Sequence, residues 1–203
     1  ESGVRVRANT LSQKSVEMGK RDGARVAFGG CRMINSEAEP FLAGGISDVL
    51  ISNEVVGDRK TVQLARLAAS YPDARLGVCV DDPRAVAQLA RACKQARTQL
   101  DVYIELDVGH NRAGVTDIGA VVALGHAIAS QASLVLRGLH AYFGNAQHLR
   151  SIAERRQAIT AATATAQAAH RALIAAGLRC DVITGAGTVT FMLETASGVY
   201  TEI

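Results

Sequence analysis

The sequence predicts an α/β protein of the (β/α)8 kind, a TIM-type barrel of parallel strands with helices outside. Three observations carry this reading. Eight short runs rich in Val, Ile and Leu recur along the 203 residues, segments of helical character separate most of them, and the connections are short. Eight strands favour closure into a barrel, and an open doubly wound sheet is the alternative because its strand pattern is the same. One domain over 1–203 is expected, and 48% hydrophobic residues can fill its core.

Each element has its own signal. Val4 to Ala8 (VRVRA) alternates as a strand does, and Thr10 to Asp22 is polar-led and helical, with Thr10 or Ser12 as N-cap. Arg25 to Phe28 is a short strand ending at Gly29-Gly30. Ser36 to Ala43 is helical despite Pro40 and ends at Gly44-Gly45. Asp48 to Ser52 is a buried strand. Asp58 is expected to cap a helix reaching Ser70, with Val62, Leu64, Ala65, Leu67 and Ala68 inward. Leu76 to Val80 is a strand, and Asp81-Asp82-Pro83 opens a helix to about Ala96. The strand at 101–107 sets Val102, Ile104 and Leu106 against Tyr103, Glu105 and Asp107, and a helix follows from about Asp117 to Ser130. Leu134 to Tyr142 is a strand, Leu149 to Ala176 a long Ala-rich helix closed by Gly177, and Asp181 to Thr184 a strand. Gly198 to Ile203 starts the eighth strand, so the chain is expected to be a fragment truncated there.

Composition excludes several classes. The net charge of +3 is scattered, with no basic stripe for nucleic acid. No uninterrupted apolar run approaches a membrane span, and nothing resembles a signal peptide. Cys31, Cys79, Cys93 and Cys180 form no CxxC and read as reduced thiols, which suits a cytoplasmic protein. No HExxH, clustered Cys/His pattern or Gly-x-Ser-x-Gly elbow occurs, so no metal ligand is assigned.

In a barrel of this kind, chemistry sits where strands end. Three loops stand out. Asp101 to Val115 (DVYIELDVGHNRAGV) is a strand carrying charge into a Gly-flanked turn with Arg112, which reads either as a site arginine or as the partner of a neighbouring carboxylate. Gly138 to His148 holds Tyr142, whose ring or hydroxyl could meet a flat ligand, and His140, which is expected to fill the barrel's top layer. His148 reads as a surface residue. Thr184-Gly185-Ala186-Gly187-Thr188 follows the seventh strand. Its small residues and Thr hydroxyls suit a phosphate, and a tight glycine turn is the plainer reading.

Together these stretches resemble a known family. SNEVVG (Ser52 to Gly57), ELDVGHNRAGV (Glu105 to Val115), GLHAYFGNAQH (Gly138 to His148), TGAGT (Thr184 to Thr188) and ASGVYTEI (Ala196 to Ile203) have the order and spacing of the D-threonine aldolase and D-serine dehydratase family. These are fold-type III pyridoxal 5'-phosphate enzymes on the alanine-racemase-type barrel. The resemblance implies a lyase that splits D-threonine-like 3-hydroxy-D-amino acids into glycine and an aldehyde, or dehydrates D-serine. It implies a small D-amino acid substrate and a homodimer of the full-length protein. It also implies a C-terminal β-domain, absent from this sequence, that carries the family's divalent-metal ligands. The cofactor phosphate would lie at Thr184, Gly185, Ala186, Gly187 and Thr188, with Arg112 and Tyr142 flanking the pyridine ring. The family usually has Gly at the positions of Ala186 and Val189, and His at that of Phe143.

One departure goes further. The family's first strand ends in Arg-Pro-His-x-Lys-x-His-Lys, whose first Lys holds the cofactor covalently. Here the same place reads Arg7-Ala-Asn-Thr-Leu-Ser-Gln-Lys14. Without a gap, the catalytic lysine position is Leu11, and a shift of two residues makes it Asn9. Neither side chain has an amine to form an imine or move a proton. Lys14 lies about one helical turn further on. Two readings therefore stand: a lyase of this family, or a catalytically silent barrel that at most binds the cofactor's phosphate.

Overall fold

Strands and helices alternate along the computed structural model, which describes residues 7–8, 25–28 and 34–203, with side chains from Ala38 onward. The elements are β1 (Arg7–Ala8), β2 (Arg25–Phe28), α1 (Ile34–Ala43), β3 (Asp48–Glu54), α2 (Asp58–Ser70), β4 (Arg75–Val80) and α3 (Pro83–Ala96). Then follow β5 (Leu100–Glu105), α4 (Ile118–Ala129), β6 (Leu134–His140), a 3-10 turn (Gly144–His148), α5 (Ile152–Ala175), β7 (Val182–Thr184) and α6 (Phe191–Ser197). The expected helix at 10–22 lies outside the described residues, as do most of the first expected strand and the whole Arg7–Lys14 motif after Ala8.

The described chain forms two compact units, one holding residues through Tyr103 together with 127–136, the other 104–126 and 137–203. In the first, β1 to β4 are parallel and hydrogen-bonded in chain order, with Arg7 opposite Arg25, Val26 opposite Val49 and Leu50 opposite Gly77. In the second, β6 and β7 are parallel, with Gly138 opposite Val182 and His140 opposite Thr184. Strand neighbours follow chain order from β1 to β7. A doubly wound sheet would reverse that order at a switch point, so this topology is of the singly wound kind.

Local chemistry explains the element ends. Asp82 caps α3, its carboxylate accepting the Arg84 N–H at 2.6 Å, and Pro83 fills the first turn, where an N–H would have no partner. Ser151 and Glu154 form a capping box on α5. Asp58 does not cap α2. Gly57 holds the cap position, and Asp58 is the first helical residue, paired with Arg91 at 2.8 Å. The inner face of α2 is Thr61, Leu64, Ala65, Leu67 and Ala68, so Thr61 takes the place expected of Val62. In the same unit, Arg75 ties strand starts together, reaching Asp48 at 3.6 Å and Asp101 at 3.1 Å.

Two expectations change. The alternation read at 101–107 does not separate a wet face from a dry one, because every residue of β5 is buried, as befits a parallel strand covered on both faces. The run 198–203 forms no full strand. Only Glu202 makes a bridge, and the N–H groups of Thr201 and Glu202 donate to the Ile183 carbonyl at 2.9 and 3.2 Å. Helix α6 precedes it unannounced, because Phe191 and Met192 are exposed while Glu194 is buried, the inverse of the pattern that marks an amphipathic helix. Among the described residues no helix is long and apolar enough to cross a membrane.

Candidate active site

All the geometry here belongs to the second unit. Where β5 and β6 end, Leu106 N–H donates to the His140 carbonyl at 2.8 Å, which sets Glu105 beside His140. Both side chains are buried, and His140 Nδ1 meets Glu105 Oε2 at 2.5 Å. His140, expected to fill the top layer of a barrel, is buried, and its buried neighbours are polar: Glu105 and, opposite His140 in register, Thr184. A buried polar group needs a partner, and each of the first two supplies the other's.

The loop after β5 leaves and returns at almost the same place. Val115 N–H donates to the Glu105 carbonyl at 2.9 Å, and Asp107 N–H donates to the Val115 carbonyl at 3.2 Å. Between them, one Asp107 carboxylate oxygen accepts from the N–H groups of Gly109 and Asn111, both at 2.9 Å. This is Asx-turn chemistry, and it holds Asn111 at a φ of 54°. The loop presents His110 half-buried and Arg112 exposed. It interlocks with the loop after β6. The Phe143 ring lies where Gly109 has no side chain, and the His110 ring where Gly144 has none, with a Cβ there only 2.8 and 2.5 Å away. Phe143, where the resemblance anticipates His, is thus an apolar clasp. Tyr142 stands between two imidazoles, edge-on to His110 with centroids 6.1 Å apart and tilted towards His140 at 6.4 Å.

The loop after β7 lies against the same strand end. Ala141 N–H donates to the Thr184 carbonyl at 2.7 Å. Gly185 has a φ of 136°, and a Cβ there would sit 2.5 Å from the Ala141 carbonyl carbon and 2.7 Å from the Tyr142 nitrogen. Only glycine combines that backbone with that approach. The N–H groups of Ala186 and Thr188 take no partner among the described residues, while the Gly187 N–H faces the Glu194 carboxylate. Beneath the loop runs a chain of hydrogen bonds. Val189 N–H donates to Gln147 Oε1 at 2.9 Å, Gln147 Nε2 to the Thr190 hydroxyl at 2.8 Å, and that hydroxyl to Glu194 Oε1 at 2.6 Å. Burial pushes the Glu194 carboxyl above its usual range, and the hydrogen bonds from Thr190 and Gly187 offset part of that. Burial, with the charge of Glu194, likewise raises the Tyr200 phenol, whose hydroxyl donates to the Ala141 carbonyl at 3.0 Å.

The structure therefore brings Tyr142 and the Thr184–Thr188 loop to one edge. Arg112 lies on the neighbouring loop, two residues past His110, and makes no hydrogen bond or ion pair among the described residues. Leu11 lies outside the described residues, as do Asn9 and Lys14. Sequence reading did not find Gln147, Thr190 and Glu194 as a group, since more than 40 residues part Gln147 from Thr190 and no local pattern links them. The Glu105–His140 pair had a signal: two titratable residues near the ends of successive strands.

Comparison with known proteins adds to this geometry. Residues 49–202 match the family model described as the alanine racemase N-terminal domain. The chain is 40% identical over 200 residues to a D-threonine aldolase of Arthrobacter sp, covering 98% of this chain and 52% of that protein. It is 38% identical over 202 residues to a 3-hydroxy-D-aspartate aldolase of Paracoccus denitrificans (strain Pd 1222), covering 99% and 52%. Among solved structures it superposes on D-threonine aldolase from Filomicrobium marinum with a TM-score of 0.88 at 39% identity, covering 99% of this chain and 54% of the other. The chain spans about half the length of the curated relatives it matches.

Proposed function

The chain belongs to the family of the alanine racemase N-terminal domain, and from that premise we propose that it is the cofactor-binding (β/α)8 barrel domain of a pyridoxal 5'-phosphate-dependent lyase acting on 3-hydroxy-D-amino acids. The observation that carries the proposal is the seating of Gly185 against Ala141 and Tyr142, which sets the small-residue loop and an aromatic ring at one strand end. A ligand with a phosphate at one end and a flat ring at the other needs that pairing. The N–H groups of Ala186 and Thr188 and the hydroxyl of Thr188 would hold the phosphate. Tyr142 would lie beside the ring, and Arg112 would face its polar edge. The donors present fit the phosphate, since the bare Gly185 lets the loop close on the Ala141 and Tyr142 backbone while the Ala186 and Thr188 N–H groups have no partner among the described residues.

Bound pyridoxal phosphate would supply a ring that takes up the negative charge left when a bond at the substrate's α-carbon breaks. This chain's residues would do the rest. The clasp of Phe143 and His110 would fix the two loops, and the Glu105–His140 pair would hold the strand ends together beneath Tyr142. The relatives' printed names support an aldolase over a dehydratase, since the three just described, all above 35% identity, are aldolases. A homodimer of the longer protein and a cytoplasmic site go with this reading, and the buried Cys79, Cys93 and Cys180, none of them in a disulfide among the described residues, support a reducing compartment.

A second reading rests on Leu11. With no amine at that position the site would bind the cofactor without a covalent link and catalyse nothing. Titration with pyridoxal phosphate, borohydride reduction and mass spectrometry separate the two. The second reading expects binding with no covalent mass gain, and a gain in Leu11→Lys. A gain on a lysine of the unaltered chain restores the lyase reading. No binding by either protein refutes the cofactor site.

A further inference from the structure

We propose that Gln147, Thr190 and Glu194 form a positioning relay that holds the 185–188 loop in its anion-binding shape, and that this relay sets affinity for the phosphate group specifically. The inference rests on the phosphate reading of that loop given above.

The direction of each hydrogen bond carries the argument. The carboxylate of Glu194 can only accept when ionised, so the Thr190 hydroxyl must donate to it at 2.6 Å. That leaves the Thr190 oxygen as an acceptor, filled by Gln147 Nε2 at 2.8 Å. With its amide nitrogen so committed, Gln147 presents its carbonyl oxygen to the Val189 N–H at 2.9 Å. The relay has one consistent polarity, and it runs from the end of the phosphate loop to a carboxylate 1% exposed. Gly187 completes it, because a side chain there would collide with the Gln147 amide. The Gly187 carbonyl in turn accepts from Thr190 N–H at 3.0 Å and Phe191 N–H at 2.8 Å, which turns the chain into α6.

Glu194 also has an oxygen, Oε2, that is buried with no hydrogen bond among the described residues. Such a group is costly to keep, and a fold that only needed a helix here could use an apolar residue. What the carboxylate does is hold the Thr190 hydroxyl, with the Gly187 N–H facing it. The N–H groups of Ala186 and Thr188, with no partner among the described residues, are the ones left to an anion. The relay therefore decides which donors of the loop face a phosphate.

The test compares pyridoxal phosphate with pyridoxal, which lacks the phosphate, by fluorescence titration of the chain and of Thr190→Val, Thr190→Ser and Gln147→Leu. Circular dichroism checks that each variant is folded, and Gln147, half-buried, gives a second variant that spares the buried end. Thr190→Val and Gln147→Leu should weaken pyridoxal phosphate binding about tenfold or more, leave pyridoxal binding unchanged, and be matched by near-normal binding in Thr190→Ser. Equal loss for both ligands, or no loss for either, would overturn the relay while leaving the cofactor site standing. If the unaltered chain binds pyridoxal as tightly as pyridoxal phosphate, the phosphate reading fails and the relay with it.

Discussion

At the scale of single residues, the site depends on atoms that are missing as much as on those present. Gly185→Ala puts a methyl group into the Ala141 backbone at a φ of 136°. Strain of that kind costs about 1–3 kcal/mol. The variant should unfold at lower urea concentration and lose at least about tenfold in pyridoxal phosphate affinity. Denaturant titration and fluorescence titration check the two. The Glu105–His140 pair makes a different demand. Removing Glu105 as Glu105→Ala leaves a buried imidazole without its partner and should cost about 2–3 kcal/mol, read as a shift of the urea midpoint. Both glycine and pair were partly legible. The Gly-Ala-Gly run announces a special turn, but the clash that makes Gly185 necessary comes from a residue on another strand. His140 was expected in the top layer of a barrel, yet its partner could be named only once Leu106 N–H was seen to meet the His140 carbonyl.

At the scale of elements, caps and apolar stripes were legible because both are local. Helix α5 begins at Ser151 with a capping box, and Ser151→Ala should lower its stability by about 1 kcal/mol, measured as a lower midpoint of thermal unfolding. Helix α2 shows the limit of the local signal. A first-turn Asp reads as a cap, but Asp58 turns to Arg91 on α3 and Gly57 takes the cap position without a side chain. Helix α6 was missed for a related reason. Its buried face is built on Glu194, and a carboxylate is read as exposed until the groups that satisfy it are found.

At the scale of the whole molecule, the buried thiols couple stability to pH. Burial raises the Cys93 thiol to about 12, and burial with the charge of Asp181 raises Cys180 to about 12. In the unfolded chain a thiol titrates near about 8.5. The folded protein therefore holds these protons more tightly, and the stability they contribute is complete below about pH 8.5 and is lost as the pH rises towards about 12. The urea midpoint should be level from about pH 7 to 8 and fall steadily above about pH 9. Iodoacetamide near neutral pH should label neither thiol until denaturant is added, as mass spectrometry would show.

The sequence alone determined the α/β class, the position of most strands and helices, the family likeness and the loops that matter. Those follow from period, from turn residues and from motif order, all of which are written along the chain. Tertiary structure decided the rest. It chose chain-order strand pairing over a doubly wound sheet, paired Glu105 with His140, clasped Phe143 to Gly109, and joined Gln147 to Glu194 through Thr190. Each of these is a meeting of groups distant in sequence, decided by which backbone donors and acceptors find partners when strands align.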